Sequence, residues 1–529
     1  MRILSIALAL LWGMGLVGAL PGQIQPPNPG KPAPAPPRTK WDEMDIGPFQ
    51  AHGLEVREGN RVWRPALKGL HIRLGQNAAV CFDTERLRMA AGWTGGFLNL
   101  PRAGGGLEGT PTPAGKLMFD TPMIPGWAGP KGEWTEPNPP TVEGTDVYSK
   151  GPLPVEWARW RGFYTHGQQV VLSYSVGASS VLESPSYAGG LFLRQIEITR
   201  SPSKGPMTLL VAEMAGANGM VEENLAVLEQ DDTVTAAAVI GGGVELKIEK
   251  GRILADIKSL QQTSQFTLAL WRGQRAKLAA IQQFAKSEFK QAALATLIKG
   301  GPRKWGAEIK TTGSLGMDEG AYVVDNLELP VKNPWKSWIR CSGFDFFKDG
   351  QSAAVCSVTG DVWVVTGIDE QLNNLKWRRI ATGLYQPLGL KIIDEKIFVL
   401  GRDQITKLHD LNNDDEADYY ENFNNSISIS NHHQSHCLNL ETDTEGNFYF
   451  VKAANLQPAR VPHDGCVLKV SADGKKLEVI ATGHHARNGL GIGPKGEITT
   501  SDNTGPWVPT ARLNLIKPGG FYGHVPAAH

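Results

Sequence analysis

From about residue 315 onward the chain repeats one phrase. Four times an apolar run reaches a tight turn and a second apolar run leaves it: GFDFF-KDG-QSAAVCS, LGLKII-DE-KIFVLG, LNLET-DTEG-NFYFVK and GLGIGP-KG-EITTSD. The turn positions Gly350, Glu395, Gly446 and Gly496 are separated by 45, 51 and 50 residues. A period near 50 with about four strands per unit is the pattern of a β-propeller, because one blade cannot bury both of its faces alone. Closed propellers usually have four to eight blades. About four units fit over 335–529, and the ending GGFYGHVPAAH falls where a further blade is expected. The reading is a partial propeller in the front part of a longer protein; a four-bladed ring is the alternative.

The region 41–300 carries a different β pattern. Leu172, Tyr174 and Val176 share one face of VVLSYSV, and Val244, Leu246 and Ile248 share one face of VELKIE. The turn EKGR leads from VELKIE into RILADIK as a hairpin, and FTLALW repeats the alternation with Phe266, Leu268 and Leu270. Period-two alternation is the mark of half-buried antiparallel strands, so a large β-sandwich-like domain is predicted. Within it Trp157, Trp160, Tyr164 and His166 form an aromatic group that reads as sandwich core. Residues 274–299 break the pattern: Leu278, Ile281, Ala285, Phe289 and Ala292 recur at helical spacing, and Gly300-Gly301-Pro302 ends the run. One amphipathic helix closing the first domain is predicted, followed by a connector over 301–334.

The N-terminus reads as a secretory signal: Met1-Arg2, an apolar run Ile3 to Val17, and small residues Val17-Gly18-Ala19 that place the cut after Ala19. A membrane anchor is the alternative, although the run is short of the ~20 apolar residues of a span. A Pro-rich linker follows over 20–40, and no later stretch is long and apolar enough to span, so no membrane span is expected after cleavage. Lys+Arg and Asp+Glu are both 53, which argues against a nucleic-acid partner. The five cysteines are an odd number. Cys341 with Cys356 and Cys437 with Cys466 are plausible pairs; buried thiols are the other reading. No Cys-x-x-Cys-His is present, so this chain carries no covalent haem site.

Three groups of residues are candidates for chemistry. Asp410, Asn412, Asp414, Glu416, Asp418 and Glu421 supply oxygens at the spacing of a calcium loop, with Asp415 where such loops have Gly. A solvated acidic loop is the alternative. His432, His433 and His436 precede the apolar strand Leu438–Leu440. In a propeller the residue leading into an innermost strand faces the axial opening, so a general base, a metal ligand or a structural histidine is expected there. Arg487-Asn488, beside His484-His485, precedes the next inner strand, where a cation would hold an anionic ligand or cap a blade edge. Trp363 and Trp507 would stack on a sugar or fill the core.

The segments YQPLGLKIIDEKIFVLGRDQITKLHDLNNDDEADYYENF and RNGLGIGPKGEITTSDN resemble the glucose/sorbosone dehydrogenase propellers. The resemblance covers roughly 335–529 and implies about four blades of six. It also implies a pyrroloquinoline quinone (PQQ) cofactor with Ca²⁺, and oxidation of an aldose or related alcohol. The base would be among His432, His433 and His436, with His436 favoured. The family's Arg-Asn pair matches Arg487-Asn488, two residues closer to the Gly-Leu of the strand than usual, and His485 stands at the expected Arg position. The family's His-Gly-Gly type motif is absent, since His436 is followed by Cys437-Leu438. Region 41–271, with AAGWTGGF and KGPLPVEWARWRGFYTHG, resembles an uncharacterised domain of modular exported bacterial proteins that often carry cytochrome c. A haem partner receiving electrons is therefore implied. A non-catalytic module binding carbohydrate or protein is the other function class.

Overall fold

The computed structural model describes residues 40–102, 108–144, 146–201, 207–258, 262–288, 293–432, 435–454, 461–485, 487–502 and 511–528. The signal and linker readings, His433 and Trp507 lie outside them, as do the side chains of Arg487 and Asn488. Strand makes up 51% and helix 4%, so the chain is mainly β as expected. Among the described residues no helix is long and apolar enough to cross a membrane.

The N-terminal half opens with the hairpin Phe49–Glu58 and Arg61–Leu74, closed by the two-residue turn Gly59-Asn60. Gly59 sits at φ +57, the left-handed conformation that such a tight hairpin requires. Strands Ala78–Asp83, Arg88–Thr94 and Lys116–Asp120 continue this sheet in chain order. It packs on a second, longer sheet through aromatic contacts: Phe49 on Phe163, Phe82 on Trp160 and Tyr174, Phe119 on Phe192. Of the aromatic group read as core, Trp157 and Trp160 are buried in this layer beside Tyr174, whereas Tyr164 and His166 are only half-buried. The VELKIE–RILADIK hairpin forms as read, with Val244–Glu249 paired to Arg252–Ile257.

The long sheet does not stop at the predicted domain boundary. Its strand Ala158–His166 pairs with Tyr419–Asn424 through Gly162–Glu421, Phe163–Tyr420 and Tyr164–Tyr419. Twelve strands thus run in one sheet, from Asn218–Glu222 at one edge to Gly389–Ile393 at the other. One apolar core crosses with it, from Phe49 and Phe163 to Ala354, Val399 and Tyr420. At the junction Gly162 leaves no room for a side chain, since an added Cβ would lie 2.1 Å from the Tyr420 carbonyl oxygen.

The predicted helix is much shorter than its pattern. An α-helix spans only Ala279–Ala285, flanked by 3₁₀ turns at Arg275–Lys277 and Leu294–Thr296. Residues 289–292, which carried two of its five apolar positions, lie outside the described residues. Of the helix itself only Ile281 is buried, too little apolar surface to hold more turns.

The C-terminal half is a series of four antiparallel meanders. Their first strands are Cys341–Phe346, Gly389–Ile393, Cys437–Thr442 and Arg487–Ile492. The four turns read from sequence are present: Gly350, Glu395, Gly446 and Gly496 all adopt positive φ, from 60° to 82°. The first three of these strands lie side by side in close contact. A Cβ on Gly343 would stand 2.9 Å from the Leu390 nitrogen, and one on Gly389 would stand 2.7 Å from the Asn439 carbonyl carbon. Gly389→Ala is therefore expected to destabilise the fold by about 1–3 kcal/mol, because the closest contact of its Cβ is with the Asn439 backbone, which cannot swing aside as a side chain would. Urea unfolding measures this, and an unchanged midpoint would contradict the contact.

All five cysteines are thiols, which corrects the pairing expectation. Strand Phe448–Lys452 lies between Cys437 and Cys466: Cys437 is opposite Lys452, whose N–H donates to the Cys466 carbonyl. Two strand spacings are about 9–10 Å, beyond disulfide reach. Cys341 faces Ser357 rather than Cys356.

Candidate functional site

The histidine-bearing segment joins the second meander to the third. Ser alternates with Ile along Ser426 to Ser430, and the alternation buries Ile427 and Ile429 in a core cluster with Phe450 and Cys437. Beyond that the backbone follows no regular ladder, and buried carbonyls must still find donors. Cationic side chains supply them. Arg402, 2% exposed, donates through Nη2 to the Ser430 carbonyl (3.1 Å) and to the His432 carbonyl, and through Nη1 to Gln386 Oε1 (3.3 Å). Lys452, fully buried, donates through Nζ to Ser435 Oγ (2.6 Å) and the Ser435 carbonyl (3.3 Å), and lies 3.5 Å from Asp464 Oδ1. The next residue, Ala453, donates its N–H to the His436 carbonyl at 3.0 Å. Ser435-His436 is thus gripped from the end of strand Phe448–Lys452, directly before the first strand of the third meander.

His432 and His436 are half-buried. His52, brought from the N-terminal hairpin, is 1% exposed, and His436 is among the groups that lower its pKa. The His52 ring rests on Tyr385 at 4.2 Å, and the Arg402 guanidinium stands 5.7 Å from the Tyr385 ring. Burial and then the Arg402 charge hold the His52 imidazole well below its ordinary pKa, so it stays neutral. One layer deeper, His71 directs Nε2 at the carbonyls of His52 (3.1 Å) and Gly53 (3.2 Å). Those oxygens only accept, so Nε2 carries the proton.

Further along the first strands a charged row crosses three of them. Lys391 Nζ lies 3.0 Å from Glu441 and 3.6 Å from Asp345. The fourth meander holds its own polar group. His484 stacks on Tyr522 and lies 3.7 Å from Asp502 Oδ2, while the His485 N–H donates to that oxygen at 3.4 Å. The His485 ring is 4.8 Å from that of His524, and the His485 carbonyl accepts from Ala454. Arg487 pairs with Asp502 in the strand ladder. The adjacent Ala453 and Ala454 N–H groups thus donate to the carbonyls of His436 and His485, while His432 stands at the Arg402 end of its segment.

The acidic loop is not assembled as a calcium shell. Asp410 accepts the backbone N–H groups of Asn412, Asp414 and Asp415, and Asp414 accepts that of Glu416. Glu416 turns outward to the N–H groups of Lys304 (2.7 Å) and Trp305 (2.5 Å), and Asp418 to that of Gly301 (2.7 Å). Asn412 donates to the Gly301 carbonyl, and Glu421 pairs with His409 at 2.6 Å on the adjoining strand. Among the described residues no three His, Cys, Asp or Glu side chains converge on a point that would hold a metal. The loop caps the 301–305 connector, and the residues do not fit the expected ion.

PQQ carries three carboxylates and needs unpaired cations. Among the described residues, Arg402 and Lys452 are committed to carbonyls of the protein and Lys391 to Glu441 and Asp345. The cofactor candidates Arg487 and Asn488 have side chains outside the described residues, and no step is derived through the quinone.

Sequence reasoning found the histidines and missed Arg402, Lys452, His52 and Tyr385. A signal was there: Lys452 ends the apolar run FYFVK, and Arg402 follows IFVLG. A lone cation at the end of an apolar strand has to be buried against something.

Fold and site together define a mainly β protein, sandwich-like at its N-terminal side and propeller-like at its C-terminal side, with a pinned histidine segment before the first strand of the third meander. Residues 80–183 match the family model of a domain of unknown function, DUF6797. No curated protein matches the chain. Among solved structures, the chain is similar to an oxidoreductase of the glucose dehydrogenase kind from Thermus thermophilus. The identity is 16% and the TM-score 0.30, over 35% of this chain and 64% of that one. A second glucose dehydrogenase structure matches at 16% identity and TM-score 0.28, over 35% and 68%. The chain thus spans less than two thirds of the length of the Thermus protein. Similarities of this strength assign no chemistry.

Proposed function

We propose that this protein recognises a carbohydrate or related polyhydroxylated alcohol at the mouth of its propeller-like half, with His436 as the group that contacts a substrate hydroxyl. The observation that carries the reading is the gripped pair Ser435-His436, fixed by Lys452 and Ala453 where a strand begins. An imidazole held there is the side chain suited to take a hydroxyl proton as hydride leaves the adjacent carbon. Oxidation of the sugar, the activity that the family resemblance implies, is the stronger form of the reading, with the hydride acceptor supplied from outside the described residues. Export and electron transfer to a cytochrome c partner belong to that form. The row Asp345–Lys391–Glu441, whose single ammonium is already held by two carboxylates, favours the weaker form, binding without turnover.

The test is calorimetric titration with an aldose and polyol panel, alongside dye reduction with PQQ and Ca²⁺ added. Saturable binding of at least one sugar is expected, weakened about tenfold or more in His436→Ala by loss of a hydrogen-bonding group. Dye reduction in the same mixtures would establish turnover. Binding with no dye reduction would leave a recognition module, and no binding across the panel would overturn both forms.

A further inference from the structure

We infer that the N-terminal half serves to position the histidine-bearing segment of the propeller mouth, with Lys68 as a positioning residue and Asp146–Ser149 as a strap laid along that segment. Lys68 lies in strand Arg61–Leu74 and is fully buried. Its Nζ donates to the carbonyls of Asn425 (2.9 Å) and Ile427 (2.6 Å). The charge is balanced by Glu85 Oε1 at 2.9 Å, and Glu85 in turn accepts from Ser149 Oγ at 2.6 and 2.8 Å.

Ser149 begins the second contact. Its N–H donates to the Ile429 carbonyl at 2.8 Å, and Tyr148 forms an antiparallel bridge with Ser430. The Val147 N–H donates to Asn431 Oδ1 (3.3 Å), and Asn431 Nδ2 donates back to Asp146 Oδ1 (3.3 Å). Side chains follow the backbone: Leu67 and Val147 share a buried cluster with Ile427 and Ile429.

With Arg402 and Lys452 added, three buried cations take five carbonyls of one segment in succession, at 425, 427, 430, 432 and 435. The first two carbonyls are held from the N-terminal half, the others from the second and third meanders. An irregular segment whose carbonyls are satisfied by separate parts of the chain keeps its course only while those parts are in place. Glu85 and the strap lie within the matched 80–183 region, which gives that domain a physical role. The consequence for ligand binding rests on the His436 reading above; the positioning itself does not.

The experiment is hydrogen exchange over residues 425–432, together with the ¹³C-labelled ring signal of His436, in the full chain carrying Lys68→Met. Exchange in the segment is expected to rise by roughly ten- to a hundredfold, the effect of removing one charged hydrogen-bond donor from a locally opening unit. The His436 signal is expected to shift, while exchange in strand Ile498–Asp502 stays as in the parent. Unchanged segment exchange and an unchanged His436 signal would overturn the inference. So would an equal rise everywhere, which marks general destabilisation. Should Lys68→Met fail to fold, Asn431→Ala decides by the same readouts, since it removes only the bonds to the strap. A sugar found in the panel would then lose affinity in step with the shift; if none binds, the exchange result still stands or falls alone.

Discussion

Arg402→Met is expected to lower the unfolding free energy by about 2–5 kcal/mol, because it strips a charged donor from the buried Ser430 carbonyl and the half-buried His432 carbonyl and leaves both without that partner. The guanidinium bridges Gln386 at the start of the second meander to Ser430 and His432 before the third. Its loss therefore loosens the joint between meanders as well as the histidine segment. Arg402→Lys is expected to recover only part, since one ammonium cannot reproduce a planar fork that reaches Gln386 and Ser430 together. Urea unfolding monitored by tryptophan fluorescence gives the number. A loss under about 1 kcal/mol in the Met variant would mean that the carbonyls find other partners.

The second large effect is on acid stability. Burial drives the His71 pKa from 6.5 down to about 4, against the pull of the two carbonyls that its Nε2 faces. The native state prefers the neutral ring, so the unfolded chain binds the extra proton. The stabilising contribution is complete above about pH 6.5 and is lost as pH falls toward 4. A shift of that size is worth about 3 kcal/mol. His52 acts in the same direction, depressed by burial, by Arg402 and by His71, with His436 adding to it. Asp403 opposes them: burial pushes its carboxyl up to about 6, so it stabilises the protein in acid and loses that contribution as pH rises through 6. His71→Gln removes one titrating group and keeps an amide that donates to the same carbonyls. The stability gap between parent and variant is expected to narrow by about 3 kcal/mol from pH 7 to pH 4. Parallel curves across that range would show that His71 does not titrate with unfolding.

The meanders were legible in the sequence because their turns are local. Gly350, Gly446 and Gly496 mark positions where the chain itself demands left-handed backbone, and a spacing near 50 fixes the unit. Alternation exposed the VELKIE–RILADIK hairpin for the same reason. The shared sheet was not legible: nothing in Tyr164 or Tyr419 announces that they pair, since backbone bonds read no side-chain code. The helix was over-read because periodicity reports an amphipathic pattern, not whether a surface exists to receive it. The acidic loop shows the same limit in another form. Spacing gave the oxygens of Glu416 and Asp418, but amides of the 301–305 connector decide where they point. At the candidate site the histidines were visible as a cluster, whereas Lys68, Arg402 and Lys452 were not, because their partners are carbonyls, which every residue has.

The junction between Ala158–His166 and Tyr419–Asn424 also sets a schedule for synthesis. Its partners lie far apart in the chain; Asn422 reaches the Trp160 carbonyl across 262 positions. At about 5–20 residues per second, a ribosome needs roughly 13–50 s to deliver the second strand after the first. For that interval the strand Ala158–His166 stands as an open edge with Phe163 awaiting Tyr420, able to pair with any neighbouring nascent chain. Such a fold closes late in translation, and what keeps that edge solitary until then is part of how the protein reaches its native state.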